Sequence, residues 1–171
     1  MYELYKYNIN SVKKSNIKKF DLNLQLVIHK ISLFSILTSK HFIYDLYWFL
    51  NTKGNCWVYS VFDGNIEIHY SYVTKHCYKF PFMRKHDLQI GNCFTDEKYR
   101  GLGIYPFVIG EVVQKYLESD CRGDVFMLIE QDNFASQNGV EKVGFEKVSS
   151  IRTKKILGLL KVYQVSTEIN R

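Results

Sequence analysis

Residues 99–106 read YRGLGIYP, and their reading decides the fold. Gly101 and Gly103 follow Arg100 closely; a strand-like stretch precedes them and a helix-like stretch follows. That order builds an anion site. The first turn of a helix carries backbone N–H groups without intrahelical partners, and the macrodipole adds about half a positive charge there. Glycine lets the backbone approach a phosphate with no Cβ in the way, and Arg100 adds a fixed cation beside the turn. The stretch therefore predicts a pyrophosphate cradle made of Arg100, Gly101, Leu102, Gly103 and Ile104. The bland alternative is a tight turn with a surface arginine. Other phosphate motifs are excluded: GxxxxGK[ST] does not occur, and the third glycine of a GxGxxG dinucleotide fingerprint is missing.

The elements around this turn follow from periodicity. Residues 104–118 read IYPFVIGEVVQKYLE. Ile104, Val108 and Val112 form one row at spacing four, and Ile109, Val113 and Leu117 a second. Two adjacent rows are the broad apolar face of a helix packed on a sheet. Pro106 fits only near the helix start, where its missing N–H costs nothing. Upstream, residues 87–95 (DLQIGNCFT) read as a strand, with Gly91 pointing to a bulge or a close backbone approach. Asp63-Gly64 between Val58–Phe62 and Ile66–Val73 is a hairpin signal, and residues 75–86 read as a longer loop. Downstream, residues 124–130 (DVFMLIE) read as a central strand covered on both faces. Residues 133–143 read as a second helix ending at Gly144. Phe145–Thr153 and Leu160–Val165 read as a closing pair of strands. Nearer the N-terminus, Leu22–Ile28 alternates with period two, as a strand does. Phe42, Ile43, Leu46, Phe49 and Leu50 recur at three and four, predicting a helix with Ser39 as N-cap and a break at 51–55. The fold class is α/β with a mixed sheet of the α+β kind.

The bulk numbers narrow the classes. With 171 residues, one domain over 1–171 with its own core is expected. The net charge of +6 favours anionic partners without choosing among them. Part of it comes from Lys13, Lys14, Lys18 and Lys19, a solvated run. No Arg-rich recognition helix occurs, so nucleic acid is not expected as a partner. Cys56, Cys77, Cys93 and Cys121 stand apart with no CxxC, so no metal site is expected. The opening residues lack the apolar stretch of a signal peptide, and the most apolar stretch, Ile31–Leu50, is broken by Lys40, His41 and Asp45. Free thiols in a cytoplasmic protein without a membrane span are the expectation.

Residues 95–104 (TDEKYRGLGI) resemble the acetyl-CoA binding motif of the GNAT superfamily of N-acetyltransferases. The family pattern is Arg or Gln, two residues, Gly, one residue, then Gly or Ala. Arg100, Gly103 and Tyr105 occupy those places, and Gly101 matches the frequent RG form. Residues 133–145 (NFASQNGVEKVGF) resemble the family's later Asn–Ala/Ser–…–Lys–x–Gly–Phe segment, with Asn133, Ser136, Lys142, Gly144 and Phe145 in register. The resemblance implies the GNAT fold, a mostly antiparallel mixed sheet flanked by helices. It implies that backbone groups at Cys93, Phe94 and Thr95 pair with the pantetheine arm. Backbone N–H groups from Arg100 to Tyr105 would hold the pyrophosphate. Asn133 would contact the pantetheine or phosphoadenosine side, with Ser136 nearby; Asn133 as a plain helix cap is the alternative. Two departures stand out. Tyr105 takes the place of Gly or Ala, and Val140 takes the place where many members carry the tyrosine that protonates the departing thiolate.

The implied activity is acetyl transfer from acetyl-CoA, as cosubstrate, to a small amine. Holding both reactants in place lowers a barrier by about 7–11 kcal/mol in ideal cases, and a general base adds ~10²–10⁴-fold. Base candidates on the strands are His69, Tyr72 and Asp87; pairing of residues 66–73 with 87–95 would bring His69 near Gly91–Cys93. A route through an acyl-Cys93 lacks a His/Asp partner pattern. The aromatic and basic residues of HYSYV (69–73) and CYKFPF (77–82) suit an amino sugar or a nucleotide-linked amino sugar. A weaker resemblance to acetyltransferases of bacterial surface-polysaccharide pathways points the same way. A coenzyme A-binding module without turnover is the alternative function, and a homodimer stays open.

Overall fold

The computed structural model describes residues 1–9, 24–75, 77, 80–119, 123–156 and 160–165, the last two stretches from residue 153 onward as backbone only. Lys13, Lys14, Lys18, Lys19, Leu22, Cys121 and part of the 75–86 loop lie outside the described residues. The chain runs β1 (Tyr2–Tyr7), β2 (Leu24–Lys30), α1 (Leu33–Thr38), α2 (Phe42–Thr52), β3 (Cys56–Asp63) and β4 (Ile66–Lys75). Then follow β5 (Leu88–Thr95), a short 3-10 turn (Glu97–Tyr99), α3 (Ile104–Leu117), β6 (Val125–Glu130), α4 (Phe134–Val143), β7 (Phe145–Ile156) and β8 (Leu160–Val165). The strands form one eight-stranded sheet in the order β2-β3-β4-β5-β6-β1-β7-β8. Its ladders are antiparallel except β5–β6, which is parallel. Helices α3 and α4 cover one face over a core containing Ile90, Val108, Ile109, Met127 and Phe145. Helices α1 and α2 and the 80–83 loop cover the other over Ile36, Trp48, Tyr72, Phe82 and Phe126.

The parallel pair is short. Its ladder runs from Leu88↔Val125 to Ile90↔Met127, although β5 continues to Thr95 and β6 to Glu130. Beyond Ile90 the two strands diverge and leave a gap in the middle of the sheet. The cause lies in β5. Its register against β4 jumps between Tyr72↔Gly91 and Tyr70↔Phe94, so Asn92 and Cys93 together face the single Ser71. Asn92 takes φ +46, a left-handed turn inside a strand. Such a bulge bends and twists its strand away from a neighbour. The irregularity expected from Gly91 thus falls one residue later, and it shifts His69 opposite Thr95 rather than Gly91–Cys93.

Three readings of the N-terminal third need correction. Strand β1 is absent from the sequence reading; it inserts between β6 and β7, so β7–β8 does not adjoin β6. Its burial does not alternate, because a central strand is covered on both faces, and Glu3 sits buried in it. That carboxylate accepts from Ser150 Oγ at 2.7 Å and pairs with Lys147 Nζ at 3.0 Å. Ser39 is not an N-cap. Two helices replace the one expected: Ser32 caps α1 in a capping box with Ser35, and Ser39 closes α1. Finally, α2 buries Asp45, Trp48 and Thr52, while Phe42, Ile43 and Leu50 are 44%, 79% and 65% exposed. Hydrogen bonds explain the inversion. Tyr72 Oη donates to Asp45 at 2.6 Å, Thr52 Oγ1 donates to the Trp48 carbonyl at 2.6 Å, and Glu67 on β4 ties down Lys40 (2.6 Å) and His41 (3.2 Å). In α3, by contrast, the expected rows face the core, apart from Leu117 at the exposed end.

Candidate functional site

The gap between β5 and β6 has a cavity on each side. On the α3/α4 face lies a cleft of about 550 Å³. Its walls are the end of β5 (Cys93, Phe94, Thr95), the turn into α3 (Tyr99 to Pro106, except Leu102) and one face of α4. The turn is held from outside. Tyr99 Oη donates to Asp63 Oδ2 at 2.7 Å, and Arg100 Nε donates to the Thr95 carbonyl at 3.1 Å. Gly101 and Gly103 take φ +78 and +84, which L side chains adopt only with strain, so glycine is required there. Gly103 occupies the N-cap position and no side chain caps α3. Ile104 and Tyr105 therefore present N–H groups without an intrahelical acceptor, and Pro106 follows as a residue with no N–H to satisfy. Phe107 N makes the first intrahelical bond, to the Gly103 carbonyl at 3.1 Å. Arg100 and Lys142 bring two cations to the cleft. The Arg100–Glu97 contact at 3.3 Å is exposed and contributes little to stability.

Asn133 does two things at once. Its Oδ1 accepts from Ser136 N at 3.1 Å, the cap of α4, and the residue also lines the cleft. Ser136 lies one turn along the same wall. Tyr105 fills the space between α3 and α4: a Cβ on Gly139 would come within 2.9 Å of its ring, so only glycine admits the ring there. Its ring lines the cleft together with Ser136 and Cys93. Burial, reinforced by Cys93 and opposed by Ser136, pushes the Tyr105 phenol well above its ordinary range, so it holds its proton at neutral pH. Burial also pushes the Cys93 thiol up to about 12 despite a hydrogen bond with Ser71. A thiol so protonated is a poor nucleophile.

On the α1/α2 face lies a second cavity of about 370 Å³. Gly91 and Asn92 line it on the β5 side and Leu128, one residue beyond the last β5–β6 pair, on the β6 side. Consecutive residues of β5 therefore wall different cavities: Asn92 the second, Cys93 the first. Both cavities thus meet β5 at its bulge, at adjacent residues.

The structure gathers Cys93, Phe94, Thr95, Arg100, Gly101, Gly103, Ile104, Tyr105, Asn133 and Ser136 around one cleft. Leu102 sits in the same turn, with its side chain 46% exposed and away from the cleft wall. His69, Tyr72 and Asp87 line neither cavity. His69 is buried, with Nδ1 2.8 Å from Thr95 Oγ1 and Nε2 2.9 Å from Ser71 Oγ, and its ring stands 6.3 Å from that of Tyr105. Burial lowers it to about 4, so the ring is neutral at pH 7. The Tyr72 phenol, raised by burial and by its bond to Asp45, is held protonated. Asp87 accepts from the N–H groups of Arg84 (2.7 Å) and Asp124 (3.0 Å), joining the loop before β5 to the start of β6. The residues that the sequence reading missed are Tyr99, Ala135, Asn138, Gly139 and Lys142 on the cleft wall. The last four with Ser136 follow three-and-four spacing along α4, a signal readable once Asn133 is placed at the helix start.

A scan against protein-family models and a search of curated proteins found no match. Solved structures do match. A GNAT-family acetyltransferase from Colwellia psychrerythraea superposes with TM-score 0.56 at 11% identity, over 85% of this chain and 52% of that one. The present chain thus spans about half the length of that protein. AAC(6')-Iy, in complex with the bisubstrate analogue CoA-S-monomethyl-acetylneamine, matches with TM-score 0.57 at 13% identity, over 77% of this chain and 98% of that one. An N-acetyltransferase from Staphylococcus aureus matches with TM-score 0.54 at 13% identity, over 75% and 87%. The fold is that of the GNAT acetyltransferases.

Proposed function

We propose that this chain transfers an acetyl group from acetyl-CoA to the primary amine of a small acceptor. One observation carries the reading: both motifs come together around a 550 Å³ cleft that reaches the β5–β6 gap, with a second cavity on the far side. The uncapped start of α3, with Arg100 and Lys142, suits a pyrophosphate. The end of β5, no longer paired to β6, offers backbone groups to an extended pantetheine-like arm in the manner of an added strand. The AAC(6')-Iy complex with a CoA-containing analogue supports this assignment at the level of the fold.

The acceptor nitrogen would enter through the gap and attack the thioester carbonyl; the C–N bond forms, the C–S bond breaks, and the nitrogen gives up its surplus proton to solvent. In this reading Tyr105, which lines the cleft beside Cys93, donates its phenolic proton to the departing sulfur, the role left open by Val140, which is fully buried. Ser136, on the same wall, would be its route for regaining a proton. Among the described residues lining the two cavities there is no Asp, Glu or His. The acceptor therefore enters as the neutral amine, and the rate rises with pH toward the acceptor's own pKa. The absence of such a base also favours a second reading, a coenzyme A-binding module without turnover. Calorimetry with acetyl-CoA, followed by thiol release against an amine panel, separates the two. No binding at millimolar acetyl-CoA overturns both; binding without amine-dependent thiol release leaves only the second.

A further inference from the structure

Helix α2 turns polar residues inward and apolar residues outward. Asp45 and Thr52 face the sheet, satisfied there by Tyr72 Oη and the Trp48 carbonyl, each at 2.6 Å. Ile43, Tyr44, Tyr47 and Leu50, at spacings of three and four, form an exposed row. On α1 only Ile36 is buried, while Leu33, Phe34 and Leu37 are 65%, 79% and 77% exposed. The two helices are in contact and joined by residues 39–41, which places the two rows side by side. Among the described residues, more than half of the exposed large apolar side chains lie between Leu33 and Leu50, so the exposure is concentrated rather than scattered. At about 150–250 Å² for a whole aromatic side chain and somewhat less for an aliphatic one, these seven expose on the order of 800 Å². The largest apolar patch on a typical monomer is about 300–600 Å².

The charges of this stretch are already committed. Lys40 and His41 are bonded to Glu67 at 2.6 and 3.2 Å, and Asp45 is turned inward to Tyr72. An acidic lipid surface draws on cations beside an apolar helix face, and Lys40 is held by Glu67 instead. About a two-fold axis a patch meets its own copy, so an unpaired charge would face a like charge. A neutral apolar patch avoids that cost. Its area also matches the ~800 Å² that each partner contributes to a standard interface. We propose that the chain pairs with a second copy of itself across this face, α1 and α2 of one copy against α1 and α2 of the other. The proposal is independent of the acetyl-transfer reading. Ile43, Tyr44 and Tyr47 also line the second cavity, so the interface reaches its rim. A six-residue helix such as α1 is marginal alone, and the partner's cover holds it in place.

Light scattering and sedimentation of the full chain test it. The dimer mass is expected at about 10 μM and above, since standard interfaces hold with affinities from μM to pM. The melting temperature should rise with protein concentration, as it does for any fold stabilised by association. Leu37→Glu on α1 and Leu50→Glu on α2 alter exposed residues that line neither cavity, so each spares the fold. Each sets two like charges into the pairing face and is expected to weaken the dimer at least about 100-fold, leaving a monomer whose melting temperature no longer depends on concentration. Leu117→Glu, exposed at the end of α3 on the opposite face, should stay dimeric. A monomeric wild-type chain overturns the proposal; flotation with neutral and acidic phospholipid vesicles then tells a lipid surface from cover by the chain itself. A dimer that survives both helix variants, or one that Leu117→Glu also dissociates, overturns it as well.

Discussion

The two faces of the central gap are built from different materials. On the α3/α4 side the cleft is made of backbone. Its distinctive parts are two positive-φ glycines, an uncapped helix start, a strand end with no ladder partner on its β6 side and a helix approach that admits only Gly139. On the α1/α2 side the described cavity wall is largely aromatic side chains, three of them on a helix whose inner face joins core Trp48 to the hydrogen-bonded Asp45 and Thr52. Backbone sites suit what every substrate of a class shares, which in the proposed reaction is a pyrophosphate and an amide-bearing arm. Side-chain sites bind what distinguishes one substrate from another. The first face is thus suited to the constant half of the reaction and the second to its variable half.

That division can be broken at several points. The largest effect is expected at His69, which braces the α3/α4 face by joining β4 to the end of β5. Its folded-state value of about 4 lies below the ordinary 6.5, so the unfolded chain takes up a proton between those pH values and the folded protein does not. Stability then falls as pH drops from about 6.5 to 4, by about 3 kcal/mol from this group. His69→Gln, which can still bond Thr95 and Ser71, should lack that share of the decline. Urea titrations at several pH values check it, and a slope equal to wild type would refute the assignment.

Next comes Gly103→Val. The space around this glycine is open, so the cost to folding is the left-handed strain of about 1–2 kcal/mol. The β-branched side chain would nonetheless stand at the helix start, and acetyl-CoA affinity should fall at least about 100-fold while amine binding is untouched. Weaker amine binding in this variant would mean that the two faces are not separable. Tyr105→Phe is expected to lower kcat about 10- to 30-fold, below the full range of proton-transfer catalysis because a thiolate leaves readily. Its acetyl-CoA affinity should stay at the wild-type level. The smallest effect is expected from Asn133→Ala, about 1 kcal/mol in stability from the lost cap of α4. A larger loss of acetyl-CoA affinity than of stability would show that the Asn133 amide also serves the ligand.

Legibility in the sequence follows the same line. The elements from β3 onward were readable, because glycine turns, a proline at a helix start and period-two or three-and-four rows are local constraints. In the α3/α4 cleft the glycine turn was readable for that reason, Cys93–Thr95, Asn133 and Ser136 came from the family resemblance, and Tyr99, Ala135, Asn138, Gly139 and Lys142 were not read as part of its wall. The α1/α2 face was not readable. Phe42, Ile43 and Leu50 suggested the buried stripe of α2, yet Asp45 and Thr52 are inside it, since Tyr72 Oη and the Trp48 carbonyl satisfy them there. Likewise β1 went unread; Glu3 is buried in it, and Ser150 and Lys147, nearly 150 residues away, are what make that burial tolerable. His69, Tyr72 and Asp87 looked available for catalysis because Thr95, Asp45 and Asp124, which also bond them, are distant in sequence.

By itself, then, the chain determined where it turns, which stretches from β3 onward are helix or strand, and that α3 starts at a glycine turn with free N–H groups. Those features depend on backbone φ, on hydrogen-bond donors and on periodicity, all set within a few residues. Tertiary structure alone decided where the strands part, which way the Tyr105 ring points, and that Tyr2, Tyr44, Tyr47, Trp48 and Phe80 gather around one cavity. Each of these depends on which side chain of a remote element packs or bonds against which, a property of the folded sheet rather than of any local stretch.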